Sequence, residues 1–464
     1  MAAVTSLPSR SAAGSIVDDP AGTEVDVCVI GAGVAGLVVA AEAARAGLRV
    51  TVLERESATG GILRPLTIEG IEVDAGAESF ALRTDAVARL AADLDLPLEL
   101  VAPEPGGAHL VFCGSDGATH RAPLPVRTIL GMPADPLAAD VRAIVGDEGA
   151  RRAALERTLP AEDGPEPSLD ALARERYGDA VADLLVGAVC RSVYSRPAAE
   201  VRLSSVHPGM WRAYRELGSL TAAAASLAPE ARPGSAVGGI RGGVWRLAAA
   251  LRADAEAHGA TFATSADVTA LADVRARHVV VATGAAAARD LLGLAPTAAT
   301  EVALCVVGLR SAAWDARPLG SGAIVAPGVP ARAKALTHVD AKWGWVRREL
   351  ASAAHVVRLS SATADDAWMT DPALVARELE LLSGIPLGPD ELTDVHVVRW
   401  RDALAPDADE RALLAARAQE RGVAIVGTAV AGTGLASVIP HARAVAATLA
   451  ARLTPVSTRK EAAR

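Results

Sequence analysis

The sequence of 464 residues predicts an α/β fold in which a Rossmann-like domain is discontinuous along the chain. Three observations lead to this prediction. A buried strand, a glycine-rich turn, a helix and a second strand follow one another over residues 25–54. A second apolar strand, residues 278–284, ends in Ala-Thr-Gly, and a strand, a glycine turn and a helix occupy residues 423–453. The segments between these stretches predict a mixed-sheet domain and a helical insert.

The first glycine turn has the spacing of a dinucleotide-binding motif. An apolar strand over residues 25–30 is followed directly by Gly31, Gly33 and Gly36. The first glycine permits the tight turn, the second leaves space for a pyrophosphate, and the third lets the helix pack closely on the strand. The helix N-terminus offers unpaired N–H groups and a positive dipole end to the phosphates. Glu54, at the end of the next strand, is placed to accept hydrogen bonds from ribose hydroxyls. The alternative is a strand-to-helix turn without a ligand.

A second glycine pair indicates which dinucleotide this is. Gly60 and Gly61 follow the second strand, and Arg64 comes three residues later. The pair resembles the glycine pair of the glutathione-reductase-like flavoproteins, which contacts the FAD phosphates a second time, and Arg64 would be the cation near those phosphates. We therefore predict a discontinuous, Rossmann-like FAD-binding domain with noncovalently bound FAD. The alternative is a surface Gly-Gly turn with a solvated arginine.

Composition and charge exclude several classes of protein. The net charge of −9 and the absence of a basic block argue against a nucleic-acid surface. The four cysteines are widely spaced, so neither a zinc site nor a disulfide framework is indicated, and no metal site is predicted. No apolar run is long enough for a membrane span. Residues 1–24 have no signal-peptide core and indicate a disordered leader, which predicts a cytoplasmic protein.

The remaining elements are predicted in chain order. We expect a helix over 82–94, a hairpin over 110–121, and mostly helical structure over 137–230. These helices include Ser168 to Gly178 and a buried helix from Asp179 to Val193. Further predicted elements are a helix from Trp245 to His258, a strand from Ala260 to Leu271 that carries Val268, strands over 302–309, 333–338, 356–360 and 395–400, and a helix over 372–383.

These elements give the predicted domains. The FAD-binding domain comprises residues 25–81, 236–300 and 395–453. A mixed-sheet, substrate-binding domain comprises 82–126 and 301–394, a helical insert covers 127–235, and 454–464 is a tail.

The last glycine turn, around Gly427 and Gly434, opens a helix that continues to residue 453. In flavoproteins with this layout such a helix N-terminus points at the pyrimidine end of the flavin. There it stabilises negative charge on the reduced ring. The alternative is a further α/β turn without a ligand.

The inserts resemble the protoporphyrinogen/coproporphyrinogen III oxidase family, within the amine-oxidase-like flavoproteins. The similar stretches are Gly131-Met-Pro-Ala-Asp135, residues 184–195, Leu203-Ser204, Lys334-Ala-Leu-Thr337 with Lys342-Trp343, and Gly432-Thr-Gly434. The resemblance covers residues 25–453. Two features depart from the family pattern. The Arg399-Trp400 strand is not followed by Pro-Gln-Tyr and Gly-His, and the last glycine turn carries Ala436 and Val438 in place of Pro and Cys.

The resemblance implies oxidation of a porphyrinogen in heme biosynthesis, with six electrons removed in three flavin cycles and oxygen reduced to peroxide. Coproporphyrinogen III is the favoured substrate. Protoporphyrinogen IX, or an amine or polyene substrate of a paralogous amine oxidase or desaturase, remains the alternative. No membrane span is expected, whereas peripheral contact with a membrane, a heme-pathway partner, and a monomer or homodimer are all compatible with the sequence.

Two sets of site residues follow from the motifs and the resemblance. The predicted FAD-binding residues are Gly31, Ala32, Gly33, Val34, Ala35, Gly36, Glu54, Arg55, Gly60, Gly61, Ile62, Arg64, Gly76, Ala77, Glu78, Val268, Ala282, Thr283, Gly284, Gly427, Gly434, Leu435, Val438 and Ile439. The predicted rim cations for substrate carboxylates are Lys334, Lys342 and Arg401, with Arg64 as a further candidate. Glu78 is also placed to approach the substrate, and no acid or base is assigned beyond the flavin itself.

Overall fold

The computed structural model describes residues 25–160, 164–228, 237–361 and 366–453. The predicted leader, residues 1–24, and the predicted tail, residues 454–464, lie outside the described residues.

Strands of the described chain form five sheets. In chain order they are β1 (Val27–Ile30), β2 (Val50–Leu53), β3 (Pro65–Ile68), β4 (Ile71–Asp74), β5 (Phe80–Ala81), β6 (Leu100–Val101), β7 (His109–Cys113), β8 (Thr119–Pro123), β9 (Thr128–Ile129), β10 (Met132–Pro133), β11 (Val237–Ile240), β12 (Thr261–Ala263), β13 (His278–Val281), β14 (Glu301–Arg310), β15 (Gly322–Val325), β16 (Ala333–His338), β17 (Ala354–Ser361), β18 (Leu392–Arg401) and β19 (Ala424–Ile425).

Helices of the described chain cover these sheets or form the insert. The α-helices are α1 (Val34–Arg45), α2 (Ala86–Asp93), α3 (Ala139–Ala154), α4 (Leu169–Tyr177), α5 (Asp179–Val181), α6 (Leu203–Val206), α7 (Pro208–Leu217), α8 (Leu220–Leu227), α9 (Trp245–Ala257), α10 (Ala285–Leu292), α11 (Val339–Lys342), α12 (Gly344–Glu349), α13 (Pro372–Ser383), α14 (Ala408–Glu420), α15 (Thr428–Ala431) and α16 (Leu435–Leu453).

The predicted α/β class is confirmed by a parallel sheet of order β12-β2-β1-β13-β19. Its strands come from three separate parts of the chain, as the discontinuous domain requires. Helices α1, α9 and α16 pack against one face, because Ala-rich helix surfaces allow close approach to the sheet. The carboxyl ends of β1, β2 and β13 therefore meet at one edge, where open α/β sheets bind ligands.

The second large sheet is mixed and has the order β18-β14-β17-β16-β15-β7-β8. Strands β15 and β7 are parallel, and the other neighbours are antiparallel. Strand β18 pairs with β14 over residues 301–309, so residues 395–401 belong to this sheet and not to the parallel one. The predicted place of this strand in the FAD-binding domain is therefore wrong, because side-chain alternation alone does not identify the sheet in which a strand pairs.

The insert between β8 and β11 is helical, with one departure from the sequence analysis. Helix α4 begins at the predicted cap, where Ser168 Oγ accepts the Ala171 N–H, and ends at Gly178. The predicted single helix from Asp179 to Val193 begins as α5 but continues as two π-helical segments, Ala182–Gly187 and Cys190–Tyr194. Such segments break the 3.6-residue period and frequently occur at functional sites.

Candidate cofactor and active site

The turn between β1 and α1 has the predicted glycine geometry. Gly31 has a φ of 103°, and its N–H donates to Leu53 O over 2.7 Å. A Cβ on Gly36 would overlap the carbonyl oxygen of Gly31, so this position holds helix and strand in close contact. A Cβ on Gly33 would meet no atom within 4 Å. Two glycines therefore serve the turn itself, whereas Gly33 leaves an open backbone surface that a phosphate can approach.

The second glycine pair packs directly on the first turn. The Gly60 N–H donates to Ala32 O over 2.8 Å, and a Cβ on Gly61 would lie 3.2 Å from the Gly33 Cα. Both Gly60 and Gly61 have positive φ, a conformation that glycine adopts at little cost. The two motifs, 27 residues apart at Gly33 and Gly60, thus form one continuous backbone wall.

Glu54 is buried at the end of β2 and holds the glycine turn in place. Its Oε2 accepts the Ala32 N–H over 2.7 Å, and its Oε1 accepts the Glu56 N–H over 2.9 Å. Each carboxylate oxygen has two lone pairs, so both oxygens can accept one further hydrogen bond. The side chain borders the cleft and can receive ribose hydroxyls there.

A cavity of about 460 Å³ opens at this edge of the parallel sheet. Sixteen of the predicted FAD-binding residues line it: Gly31, Gly33, Val34, Ala35, Glu54, Arg55, Gly60, Gly61, Ile62, Arg64, Val268, Ala282, Thr283, Gly284, Gly427 and Val438. Eight do not line it: Ala32, Gly36, Gly76, Ala77, Glu78, Gly434, Leu435 and Ile439. Trp400, Asp402 and Thr428 also border the cavity, although they are not among the predicted FAD-binding residues.

Val268 lines the cavity but does not lie in a strand. The predicted strand from Ala260 to Leu271 is wrong beyond β12, which ends at Ala263. The chain leaves the sheet there, because the Glu54 carbonyl accepts the Ala266 N–H over 2.8 Å and Ser265 takes a positive φ. Val268 therefore reaches the cavity from a loop.

Trp400 at the end of β18 connects the mixed sheet to the cleft. Its indole N–H donates to Ala75 O over 3.1 Å, and the Arg64 guanidinium lies 5.1 Å from the centre of its ring. A Cβ on Gly76 would overlap Ile62 O and lie 3.2 Å from the indole nitrogen. Gly76 is thus required for packing behind the cleft. Arg64 faces the cleft, and its guanidinium makes a cation–π contact with the Trp400 ring.

Glu78 lies behind this wall in a buried ion pair. Its Oε1 accepts from Lys342 Nζ over 2.7 Å, and its Oε2 lies 3.5 Å from an Arg358 nitrogen. Burial alone would raise the pKa of the Glu78 carboxyl, but Arg358 and Lys342 together lower it below its usual value. Arg358 also donates to Gly76 O. The two cations therefore favour the ionised form of Glu78.

The predicted rim cations have three different partners. Lys342 is bound to Glu78, and Arg401 is exposed and paired with Glu301 over 3.0 Å at the mouth of the cleft. Lys334 is buried and donates to the Ser195 hydroxyl. Burial and the nearby positive charge of Arg191 lower the pKa of Lys334 to about 8. The structure therefore does not assemble the three cations into one rim cluster.

A second buried cluster of titratable side chains consists of His338, Asp340 and His355. The Asp340 carboxylate lies 3.0 Å from His355 Nδ1 and 3.4 Å from His338 Nε2. It also accepts the Val356 N–H and lies 3.2 Å from an Arg347 nitrogen. Arg347 supplies the positive charge that a buried carboxylate requires, which accounts for the cluster as an ion-paired network of the core.

Comparison with known proteins places the chain among flavin enzymes. A family model described as flavin containing amine oxidoreductase matches residues 34–453. The chain belongs to this family and is a flavin-dependent oxidoreductase.

Particular relatives narrow the class. The chain is 30% identical to coproporphyrinogen III oxidase of Mycobacterium tuberculosis over 407 residues, 81% of this chain and 86% of the relative. It is 29% identical to the Mycobacterium leprae enzyme of the same name, over 82% of this chain and 88% of that protein. These matches confirm the resemblance to the protoporphyrinogen/coproporphyrinogen oxidases.

The fold has a solved counterpart in a protein from Exiguobacterium provisionally named a protoporphyrinogen oxidase. Its TM-score is 0.76 at 19% identity, and the match covers 93% of this chain and 99% of that structure. Within the described residues, no helix combines the length and the apolar character needed to cross a membrane.

Proposed function

We propose that this chain is an FAD-dependent oxidase that converts coproporphyrinogen III to coproporphyrin III in heme biosynthesis. The observation that carries the proposal is the match of 30% identity over 81% of the chain to enzymes of that name. Each catalytic cycle removes two hydrogens from the substrate and reduces one O₂ to H₂O₂. Three cycles remove the six electrons that separate porphyrinogen from porphyrin.

The cleft residues support FAD as the cofactor. The backbone wall of Gly33, Gly60 and Gly61 suits a pyrophosphate, and the Glu54 carboxylate suits a ribose. FAD bound there would supply the hydride acceptor, and the N-terminal turn of α16 reaches the cavity at Val438. The positive end of that helix can stabilise negative charge in the cleft. The cavity lining, as far as the chain is described, includes neither Cys nor His, which supports noncovalent binding.

The cavity lining also supports a porphyrinogen over an amine as the substrate. An amine oxidase usually requires an aromatic cage in front of the flavin, which holds the substrate amine by its π faces. Among the described residues that line the cavity, Trp400 is the one aromatic side chain. Arg64 covers its ring, and its N–H is bound to Ala75 O. The described cavity lining therefore offers no set of aromatic rings for such a cage, which supports a porphyrinogen over an amine.

The proposal is tested on purified protein in two steps. The protein should be yellow, acid should release its flavin, and the released compound should be identified as FAD by mass. Anaerobic addition of coproporphyrinogen III should then bleach the flavin band near about 450 nm, and air should restore it with formation of peroxide. A colourless protein that does not take up added FAD would contradict the cofactor assignment.

Parallel anaerobic reactions distinguish the other substrates. Faster bleaching by protoporphyrinogen IX would replace the substrate but keep the reaction class. Bleaching by a diamine or a carotenoid precursor alone would favour the paralogous amine oxidase or desaturase.

A further inference from the structure

Lysine is rare in this chain. Of the 46 lysine and arginine residues in the sequence, three are lysines: Lys334, Lys342 and Lys460. Lys342 has a carboxylate partner in Glu78, whereas Lys334 donates to the hydroxyl of Ser195 and to no acid of the described chain. Lys334 is 6% exposed. A buried ammonium without an acidic partner is costly unless a ligand supplies the missing negative charge.

The surroundings of Lys334 come from two parts of the molecule. Lys334 lies on β16 of the mixed sheet, and Ser195 directly follows the π-helical segment Cys190–Tyr194 of the helical insert. The two elements are in contact, because Ser192 Oγ donates to Lys334 O over 2.8 Å. Ser195 has a φ of 55°, which turns the chain at the end of the segment. Its hydroxyl is thereby brought to the ammonium of Lys334.

A second cation, Arg191, acts electrostatically on Lys334. Arg191, in the same π-helical segment, is partly buried, and one of its nitrogens lies 3.5 Å from Ala326 O. Burial lowers the pKa of Arg191, and its charge lowers the pKa of Lys334, so the two cations repel each other. Among the described residues, Glu378 influences Arg191 electrostatically, but it forms no ion pair with it and accepts the Ala333 N–H over 2.8 Å. Two cations that interact electrostatically and one hydroxyl therefore lie where the helical insert contacts the mixed sheet.

We propose that Lys334, Arg191 and Ser195 form a binding subsite for one carboxylate of the substrate, at the contact between the helical insert and the mixed sheet. The ammonium and the guanidinium pair with the carboxylate, and the Ser195 hydroxyl donates to it or orients Lys334. Binding of the anion relieves the repulsion between the two cations. This inference rests on the proposed function, since a porphyrinogen with four carboxylates is the ligand that requires such contacts.

The subsite has a pH signature. Because the pKa of Lys334 is about 8 without ligand, Lys334 loses its positive charge above that pH, and the carboxylate loses a partner. The KM for coproporphyrinogen III should therefore rise above pH 8, whereas kcat should change little, because the propionate lies away from the reacting carbon. Lys334→Arg keeps the charge at high pH, so its KM should stay flat. A KM that rises equally in Lys334→Arg would overturn the assignment.

Neutral variants test the two cations directly. Lys334→Met and Arg191→Met should each raise KM for coproporphyrinogen III about 10- to 100-fold, as expected for loss of a charge-assisted contact. The control is Arg89→Met on α2. This change removes an exposed charge that is paired with Asp85, and it should leave KM unchanged. Flavin absorbance and thermal unfolding of each variant show whether it is folded. An unchanged KM in folded Lys334→Met and Arg191→Met would refute the subsite.

A labelling experiment on the unaltered holoprotein does not depend on turnover or on any variant. Acetic anhydride at pH 8 acylates neutral amines, and mass spectrometry resolves the three lysines, with Lys460 as the reference peptide. Coproporphyrin III should protect Lys334 several-fold, whereas its tetramethyl ester, which lacks carboxylates, should not.

Other outcomes of the labelling show whether the carboxylate subsite or the proposed oxidase function is wrong. Protection of Lys334 by acetate but not by coproporphyrin III would mean that the subsite serves a free anion, and the proposal would be wrong. Protection by coproporphyrin III without oxidation of coproporphyrinogen III would keep the subsite and refute the proposed function. Oxidation of coproporphyrinogen III with no protection of Lys334 would support the proposed function and refute the subsite.

Discussion

Single residues in the cleft combine a structural and a ligand-binding role. The Glu54 carboxylate fixes the glycine turn through Ala32 and the following loop through Glu56, and it still has lone pairs towards the cleft. Val50, Val52 and Leu53 of β2 are buried apolar residues, and Glu54, which directly follows the strand, is a buried carboxylate. A carboxylate is required there because an acceptor on both oxygens satisfies two backbone N–H groups at once.

Glu54→Gln tests this double role. The amide has one acceptor oxygen, so its NH₂ group must face the N–H of either Ala32 or Glu56, and the ribose loses a charged acceptor. Loss of a charge-assisted pair costs about 1–3 kcal/mol. FAD affinity should therefore fall roughly 5- to 150-fold. Titration of the apoprotein with FAD measures this, and an unchanged affinity would mean that Glu54 does not bind the ribose.

Replacement of Lys342 tests how much its buried ion pair with Glu78 contributes to stability. Lys342 is one of the predicted rim cations, but in the structure it is paired with buried Glu78. Lys342→Met should leave Glu78 with Arg358 alone and destabilise the protein by about 2 kcal/mol or more, in addition to any effect on KM. The double variant Lys342→Met/Glu78→Gln should regain part of that stability, because the buried carboxylate is removed while Arg358 keeps its hydrogen bond to Gly76 O.

Chemical unfolding of the apoproteins measures both Lys342 variants. Equal stability of the wild type and the single variant would show that the ion pair contributes nothing.

Individual elements show which roles the glycines of the β1–α1 turn have. Gly33 has a φ of −71° and a ψ of 176°, which alanine adopts readily, and its surroundings are open. Gly33→Ala should leave apoprotein stability within about 0.5 kcal/mol of the wild type. Its FAD affinity should nevertheless fall at least tenfold, because a methyl group would stand where the pyrophosphate approaches the backbone.

Gly36→Ala is the matched variant in the same turn. Its Cβ would overlap Gly31 O, so the apoprotein should lose about 2–4 kcal/mol of stability even without cofactor. Thermal unfolding of both apoproteins and FAD titration distinguish the two roles. Wild-type FAD binding by Gly33→Ala would contradict the proposed position of the phosphates.

Elements with strong local signals were predictable from sequence. Helix α13 and strand β16 have the predicted bounds, because a cap, a glycine stop and clean periodicity mark their ends. The β18 strand was found, but not its sheet, since side-chain alternation does not identify the partner strand. The π-helical segments and the loop that carries Val268 were missed, because both depend on tertiary contacts.

In the candidate site, too, local motifs were predictable from sequence and long-range contacts were not. The glycine turns and Glu54 are local motifs, and the structure brings them together at one cavity. Lys342 and Glu78 are 264 positions apart in sequence, and no local pattern links them. The partnership of Lys334 with Ser195, across 139 positions, was equally invisible, although the rarity of lysine in the chain is a signal that sequence reasoning could have used.

At the scale of the whole molecule, charge opposes the proposed substrate. The chain carries a net charge of −9, and coproporphyrinogen III carries four carboxylates, so the two repel each other at long range. The contact proposed to hold a carboxylate is short-range and buried at Lys334. Long-range repulsion is screened by salt, whereas a buried contact is screened much less.

This balance predicts the sign of the salt effect. Between about 20 and 200 mM KCl the Debye length falls from about 20 Å to about 7 Å. The kcat/KM for coproporphyrinogen III should then rise roughly two- to threefold, because repulsion weakens while the contact at Lys334 persists. The rise should be smaller for protoporphyrinogen IX, which carries two carboxylates. Steady-state kinetics at fixed pH measure the salt dependence of kcat/KM for both substrates.

A fall in kcat/KM with salt would instead require an exposed cationic rim that attracts the substrate. Arg401 at the mouth of the cleft, freed from Glu301, would then be the first residue to replace.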